Sequence, residues 1–125
     1  MTSVPGVTIT SFSVEQLQRS VPLYQTAVSH HWLVSVATPE IIRTAQDSGF
    51  AGVCPSCADW ACCEDELREQ VAGIRTAGLE VRCWGVGAVE RGGEANLRRA
   101  AAAGAQGATV DWPVRARTML ASTSI

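Results

Sequence analysis

Short β-branched or apolar runs alternate along the chain with stretches whose apolar residues recur at helical spacing. Val7-Thr8-Ile9-Thr10, bounded by Gly6 and by Ser11-Phe12-Ser13, predicts a strand ending in a turn. Ser13 stands three residues before Gln16, a capping-box spacing in which two orphan N–H groups are satisfied reciprocally. Val14, Leu17 and Val21 supply the apolar stripe of the helix that follows, and Pro22 stops it. His31-Trp32-Leu33-Val34-Ser35-Val36 predicts a second strand, and Thr38-Pro39-Glu40 opens a helix with a capping threonine and proline in the first turn. Ile41, Ile42, Ala45 and Gln46 continue it to Gly49, after which Phe50 to Cys54 predicts a third strand. Glu64 to Ala77 predicts a longer helix, with Leu67, Val71 and Ile74 on one face, acids at its start and Arg75 near its end, matching the macrodipole. Gly78 ends it and Leu79 to Val86 is the fourth strand. A loop with Gly87, Gly92 and Gly93 leads to a helix from Glu94 to Ala103, whose Ala100 to Ala103 run favours helix and close packing. Gly107 to Asp111 is the fifth strand, stopped by Pro113, and Val114 to Leu120 forms a last helix.

Strict alternation of strand and helix implies an α/β fold of parallel strands with helices outside them. Strands of that kind are expected to be apolar on both faces. Two architectures fit the order: a small doubly wound sheet, or part of a (β/α)₈ barrel. At 125 residues the chain is one domain or less, well short of the ~250 residues of a closed barrel.

Composition narrows the chemistry. With 46% hydrophobic and 18% charged residues the chain is globular, not a disordered tail. All ten basic residues are arginines, set against twelve acids for a net charge of −2, and no basic stripe marks a nucleic-acid surface. The absence of lysine removes Schiff-base and P-loop-lysine mechanisms, since arginine cannot take either role. No Gly-x-Gly-x-x-Gly follows a predicted strand, which argues against a nucleotide fold. No apolar run reaches the ~18 residues of a membrane span, and no basic segment leads into an apolar signal region, so a cytoplasmic protein is expected. Five cysteines, an odd number, point to a reducing compartment or a metal role.

Cys54-Pro55-Ser56-Cys57 followed by Cys62-Cys63 leaves three readings open. These are a zinc site using Cys54, Cys57 and Cys62, a redox disulfide between Cys54 and Cys57, and free thiols. Cys83, between Arg82 and Trp84, is expected to pack as a small hydrophobe. Glu64, Asp65, Glu66 and Glu69 are expected to be a solvated first helical turn rather than a metal cluster.

The C-terminal units carry a resemblance. Ile74-Arg75-Thr76-Ala77-Gly78-Leu79-Glu80-Val81-Arg82-Cys83-Trp84-Gly85-Val86, then Leu97-Arg98-Arg99-Ala100, then Gly104 to Pro113 with Thr109-Val110-Asp111-Trp112-Pro113, resemble the end of the glycerophosphodiester phosphodiesterase family. Thr10-Ser11-Phe12-Ser13 is similar to the family's Ser-Phe strand end. The resemblance runs from about Val7 to Leu120. It implies a partial barrel of the phospholipase-C-like phosphodiesterase type, about its last four to five strands, with residues 1–125 forming its C-terminal half as a single partial domain. The family reaction is hydrolysis of a glycerophosphodiester to sn-glycerol 3-phosphate and an alcohol, helped by a divalent cation, Ca²⁺ or Mg²⁺.

By the same resemblance Trp84 stacks on the glycerol or alcohol moiety, or else fills the barrel interior; Asp111 and Ser11 either face the pocket or serve turns, the commoner role for both. Gly85 and Gly87 stand where the family has threonine and asparagine. The family's early His-Arg-Gly, Glu-Asn, Glu-x-Asp and Glu-x-Lys motifs have no counterpart here, so the metal ligands and the general acid/base are missing and the chain alone is expected to be a truncated, inactive member. His30-His31 precedes the predicted second strand, which would put the pair on the face opposite the active site. Two open sheet edges would favour self-association or a companion supplying the missing strands. The alternative is a small non-catalytic α/β module binding a metal or partner through the Cys54–Cys63 loop.

Overall fold

A computed structural model describes residues 7–24 and 28–123. The strands are β1 (Val7–Ser11), β2 (Val28–Leu33), β3 (Gly52–Cys54), β4 (Glu80–Cys83) and β5 (Gly107–Ala108). They form one five-stranded sheet in chain order, every neighbouring pair parallel, curled into a half-barrel. The helices are α1 (Val14–Ser20), α2 (Pro39–Ser48), α3 (Glu64–Thr76), α4 (Gly93–Ala102) and α5 (Pro113–Thr123). The partial barrel, not the doubly wound sheet, is the architecture.

Local chemistry sets the helix ends. Thr38 Oγ1 accepts from the Ile41 amide at 3.2 Å and Pro39 occupies the first turn of α2, while Gly49 closes it in the left-handed region at φ 76°. Ser13 Oγ accepts from the Gln16 amide at 3.3 Å. The other half of the expected box is replaced: the Ser13 amide donates to Ser11 Oγ at 2.9 Å, and Gln16 is drawn to the Ser11 hydroxyl.

The second strand is the main correction. It runs Val28–Leu33 instead of His31–Val36, because pairing with β1 sets its register: Val7 opposes Val28 and Ser11 opposes Trp32. After Leu33 the Val34 amide still donates to Cys54 O at 3.0 Å, and the chain then leaves towards the Thr38 cap. His30 and His31 therefore lie inside the strand, not before it. At the other edge β5 is two residues long, and one further bond, from the Thr109 amide to Cys83 O, ends the pairing.

The two faces of the sheet differ, contrary to the expectation of strands apolar on both. Towards the helices lie Val53, Val81 and Cys83, packed with Leu17, Ala45, Leu67, Val71, Ile74, Leu97 and Ala100. The concave face carries Thr8, Thr10, His31 and Arg82. A closed barrel would pack this face against its opposite wall. Here it is open, so alternation of apolar and polar residues along β1 and β4 is tolerated.

Candidate functional site

Loops at the C-terminal ends of the strands, where barrels of this kind place their chemistry, bring three aromatic rings together. Trp84, directly after β4, is half-buried. Its indole Nε1 donates to Val34 O at 2.8 Å, which swings the ring across the mouth towards the segment after β2. Phe12 meets it edge-on at 5.0 Å between centroids, and Trp60 packs against it at 6.0 Å. Phe12 and Trp60 are 58% and 67% exposed, so the cluster opens outwards, while Trp84 also lines the cavity of the concave face.

Ser11 belongs to the turn: its hydroxyl accepts the Ser13 amide. Asp111 is exposed in the bend after β5, and the neighbouring Trp112 donates Nε1 to Gly87 O at 2.9 Å. Of the three residues placed in the substrate pocket by the resemblance, Trp84 alone is seen in an aromatic cluster at the mouth.

Below the mouth, the concave face holds a cavity of about 240 Å³ lined by Thr8, Thr10, His31, Arg82, Trp84 and Thr109 among others. His31 is fully buried, with Nε2 3.6 Å from Glu80 Oε1, and Arg82 lies 3.7 Å from the other carboxylate oxygen. Burial lowers the His31 pKa from 6.5; the Glu80 carboxylate opposes this and Arg82 adds to it. His30 points to the helix side, 2.9 Å from the Ser20 hydroxyl, and burial lowers its pKa as well.

The Cys54–Cys63 loop is organised by the backbone and by Arg99 from α4. The guanidinium donates Nε to Cys57 O at 3.1 Å and Nη2 to Cys62 O. All five thiols are free: Cys57 Sγ donates to Trp84 O at 3.3 Å, and Cys62 Sγ accepts from Gln70 Nε2. Burial pushes the Cys54 thiol up to about 11, whereas a thiol hydrogen bond with Cys83 leads the forces that lower Cys57 and raise Cys83. Glu64 and Asp65 are held by Arg68 on the exposed first turn of α3. Among the described residues, no three His, Cys, Asp or Glu side chains come together in a group able to hold a metal ion.

No protein-family model and no curated protein matches the chain. Among solved structures, a phosphodiesterase of Oleispira antarctica, in complex with the product sn-glycerol-3-phosphate, superposes with a TM-score of 0.72 at 16% identity. The match covers 91% of this chain and 41% of that one. The likeness establishes the fold. This chain thus spans less than half the length of that enzyme. No helix of the described residues is long and apolar enough to cross a membrane.

The sequence does not single out Phe12 and Trp60 as partners of Trp84, Arg99 as the loop clamp, or Arg82 in the cavity, and it places His31 ahead of a strand instead of within one. The usable signal for the last pair was the polar alternation Thr8/Thr10 and Glu80/Arg82, which in a parallel strand marks a face that is not packed apolar.

Proposed function

We propose that this chain is a half-barrel of the glycerophosphodiester phosphodiesterase type that supplies the substrate-side mouth but not the hydrolytic groups. The observation that carries the reading is the likeness, over 91% of the chain, to a phosphodiesterase that holds sn-glycerol-3-phosphate. Trp84, backed by Phe12 and Trp60, offers an apolar wall for the glycerol or alcohol end of a glycerophosphodiester. The loops after β1, β3 and β4 provide this wall within the chain itself, so weak binding does not require the rest of a barrel.

Hydrolysis of a phosphodiester needs a proton donor or acceptor near phosphorus and a cation to offset developing charge. His30 is turned to Ser20 on the helix side and His31 is buried mid-sheet, so neither stands at the mouth. A divalent cation, Ca²⁺ or Mg²⁺, would polarise the phosphoryl oxygens in a complete domain. Among the described residues, no side-chain group fits one. The open edges, β1 and β5, favour pairing with a second copy or a companion chain.

The test is titration of glycerophosphocholine into the chain, followed by indole fluorescence. A saturable change that is lost in Trp84→Phe supports the reading. An unsaturable response, or one unchanged in Trp84→Phe, overturns it.

A further inference from the structure

The cavity on the concave face contains a buried histidine with nothing to bond. His31 is 0% exposed, and neither ring nitrogen has a hydrogen-bond partner among the described residues. Buried polar atoms are almost always paired with protein or ordered solvent, so an orphan lining a cavity points to something that enters it. The ring is held in place from behind. It lies over Gly52, where a Cβ would come within 2.5 Å of His31 Cδ2, and its Nε2 faces Glu80.

The cavity lining carries one cation and no carboxylate of its own. Arg82 brings the one full positive charge of the lining, Thr8, Thr10 and Thr109 bring hydroxyls that can donate or accept, and Leu33, Cys54 and Cys83 complete the wall, with the Glu80 carboxylate beside it. Glu80 lies 3.6 Å from His31 and 3.7 Å from Arg82, beyond hydrogen-bond length to both. Arg82, with its side chain 47% exposed, is free to turn. A guanidinium in the lining suits an anionic, acceptor-only ligand.

We propose that this cavity binds a small oxyanion, the chemistry shared by inorganic phosphate, a phosphate monoester and a carboxylate, between Arg82 and His31. Arg82 leaves Glu80 to grip the anion, and Glu80 stays as the counter-charge to His31. Binding takes up one proton from solvent, so that the imidazolium donates one N–H to Glu80 and the other to the anion. The charged groups facing the ring are Glu80 and Arg82 from β4, with His30 beside it on β2; β1 presents Thr8 and Thr10. The site stands on these side chains and not on the phosphodiesterase reading, since His31 and Arg82, which hold the anion, lie within β2 and β4 and not in the mouth loops.

The full chain is titrated at constant ionic strength with inorganic phosphate, with acetate, and with glycerol as a neutral control, following the His31 ring protons by NMR. Saturable shifts with phosphate, weakened about tenfold or more in Arg82→Gln and unaltered in Arg68→Gln, are expected from loss of a charge-assisted bond. A response to acetate as well assigns the site to oxyanions in general; phosphate alone assigns it to phosphate-type ligands. The inference is overturned if the shifts do not saturate, if Arg82→Gln binds as well as the wild type, or if glycerol reproduces them. His31→Gln, which keeps a donor, is the second variant. Binding weakened in it while the fold is retained supports the contact, and wild-type binding in it removes His31 from the site.

Discussion

The His31 imidazole lies across the α-carbon of Gly52 on the next strand, so that a methyl group at position 52 would fall 2.5 Å from His31 Cδ2 and 2.5 Å from the Glu80 carbonyl oxygen. Glycine in a strand interior ordinarily weakens it. Here it makes room for a ring and a neighbouring backbone at once. Gly52→Ala is expected to destabilise the chain by about 1–3 kcal/mol, the usual cost of overpacking. In a His31→Ala background the penalty should shrink without vanishing, because the Glu80 carbonyl remains. Urea denaturation of the two single variants and the double variant measures the coupling.

Stability should fall on mild acidification. Burial lowers the pKa of His31 from 6.5, and that of His30 in the same direction. The unfolded chain therefore takes up protons at these positions before the folded chain does. Their contribution is present in full above the unfolded value and is lost as pH falls through about 6.5 towards the lowered folded values. Urea midpoints at about pH 7.5 and 5.5 should differ, and the difference should be smaller in His31→Gln. A midpoint that rises on acidification in the wild type but not in the variant would show a His31 pKa raised instead.

Arg99 ties the α4 helix to the loop between β3 and α3 through the carbonyls of Cys57 and Cys62. Arg99→Ala is expected to cost about 1.5–3 kcal/mol, the range for hydrogen bonds to a charged group. Cys57 and Cys62, both buried, should also react faster with a thiol reagent as the loop loosens. Unchanged labelling rates would mean that the backbone bond from the Cys57 amide to Trp84 O, at 2.9 Å, holds the loop by itself.

Trp84→Phe removes the indole bond to Val34 O while keeping a ring against Phe12 and Trp60. A loss of about 0.5–1.5 kcal/mol is expected, with the fold intact by circular dichroism. A much larger loss would mean that the ring's main role is packing.

Edges at β1 and β5 that pair with no further strand among the described residues predict concentration-dependent association. Light scattering coupled to size exclusion should show species larger than one chain as concentration rises. A stable monomer throughout would mean that the edges are protected.

Much of the fold was legible because its punctuation is local. Thr38, Pro39 and Gly49 bound α2, and Leu67, Val71 and Ile74 mark the buried face of α3. Strand ends were less so, since register is set by partners distant in sequence. Val28 and Ser29 join β2 because Val7 and Thr8 lie opposite them, and nothing in Val-Ser-His-His looks like the start of an apolar run. That shift is what concealed His31: read as preceding a strand it falls outside the barrel, whereas within β2 it enters the cavity. The resemblance points to Trp84, but its ring partners Phe12 and Trp60 come from separate loops and meet it only in the folded chain.

One measurement tests most directly the proposal that this half-barrel carries substrate-side residues without hydrolytic groups. Glycerophosphocholine is incubated with the purified chain and Ca²⁺ or Mg²⁺ and followed by phosphorus NMR. The account predicts that the diester resonance persists and that no sn-glycerol 3-phosphate forms. Catalytic appearance of sn-glycerol 3-phosphate, surviving replacement of both His30 and His31, would contradict it.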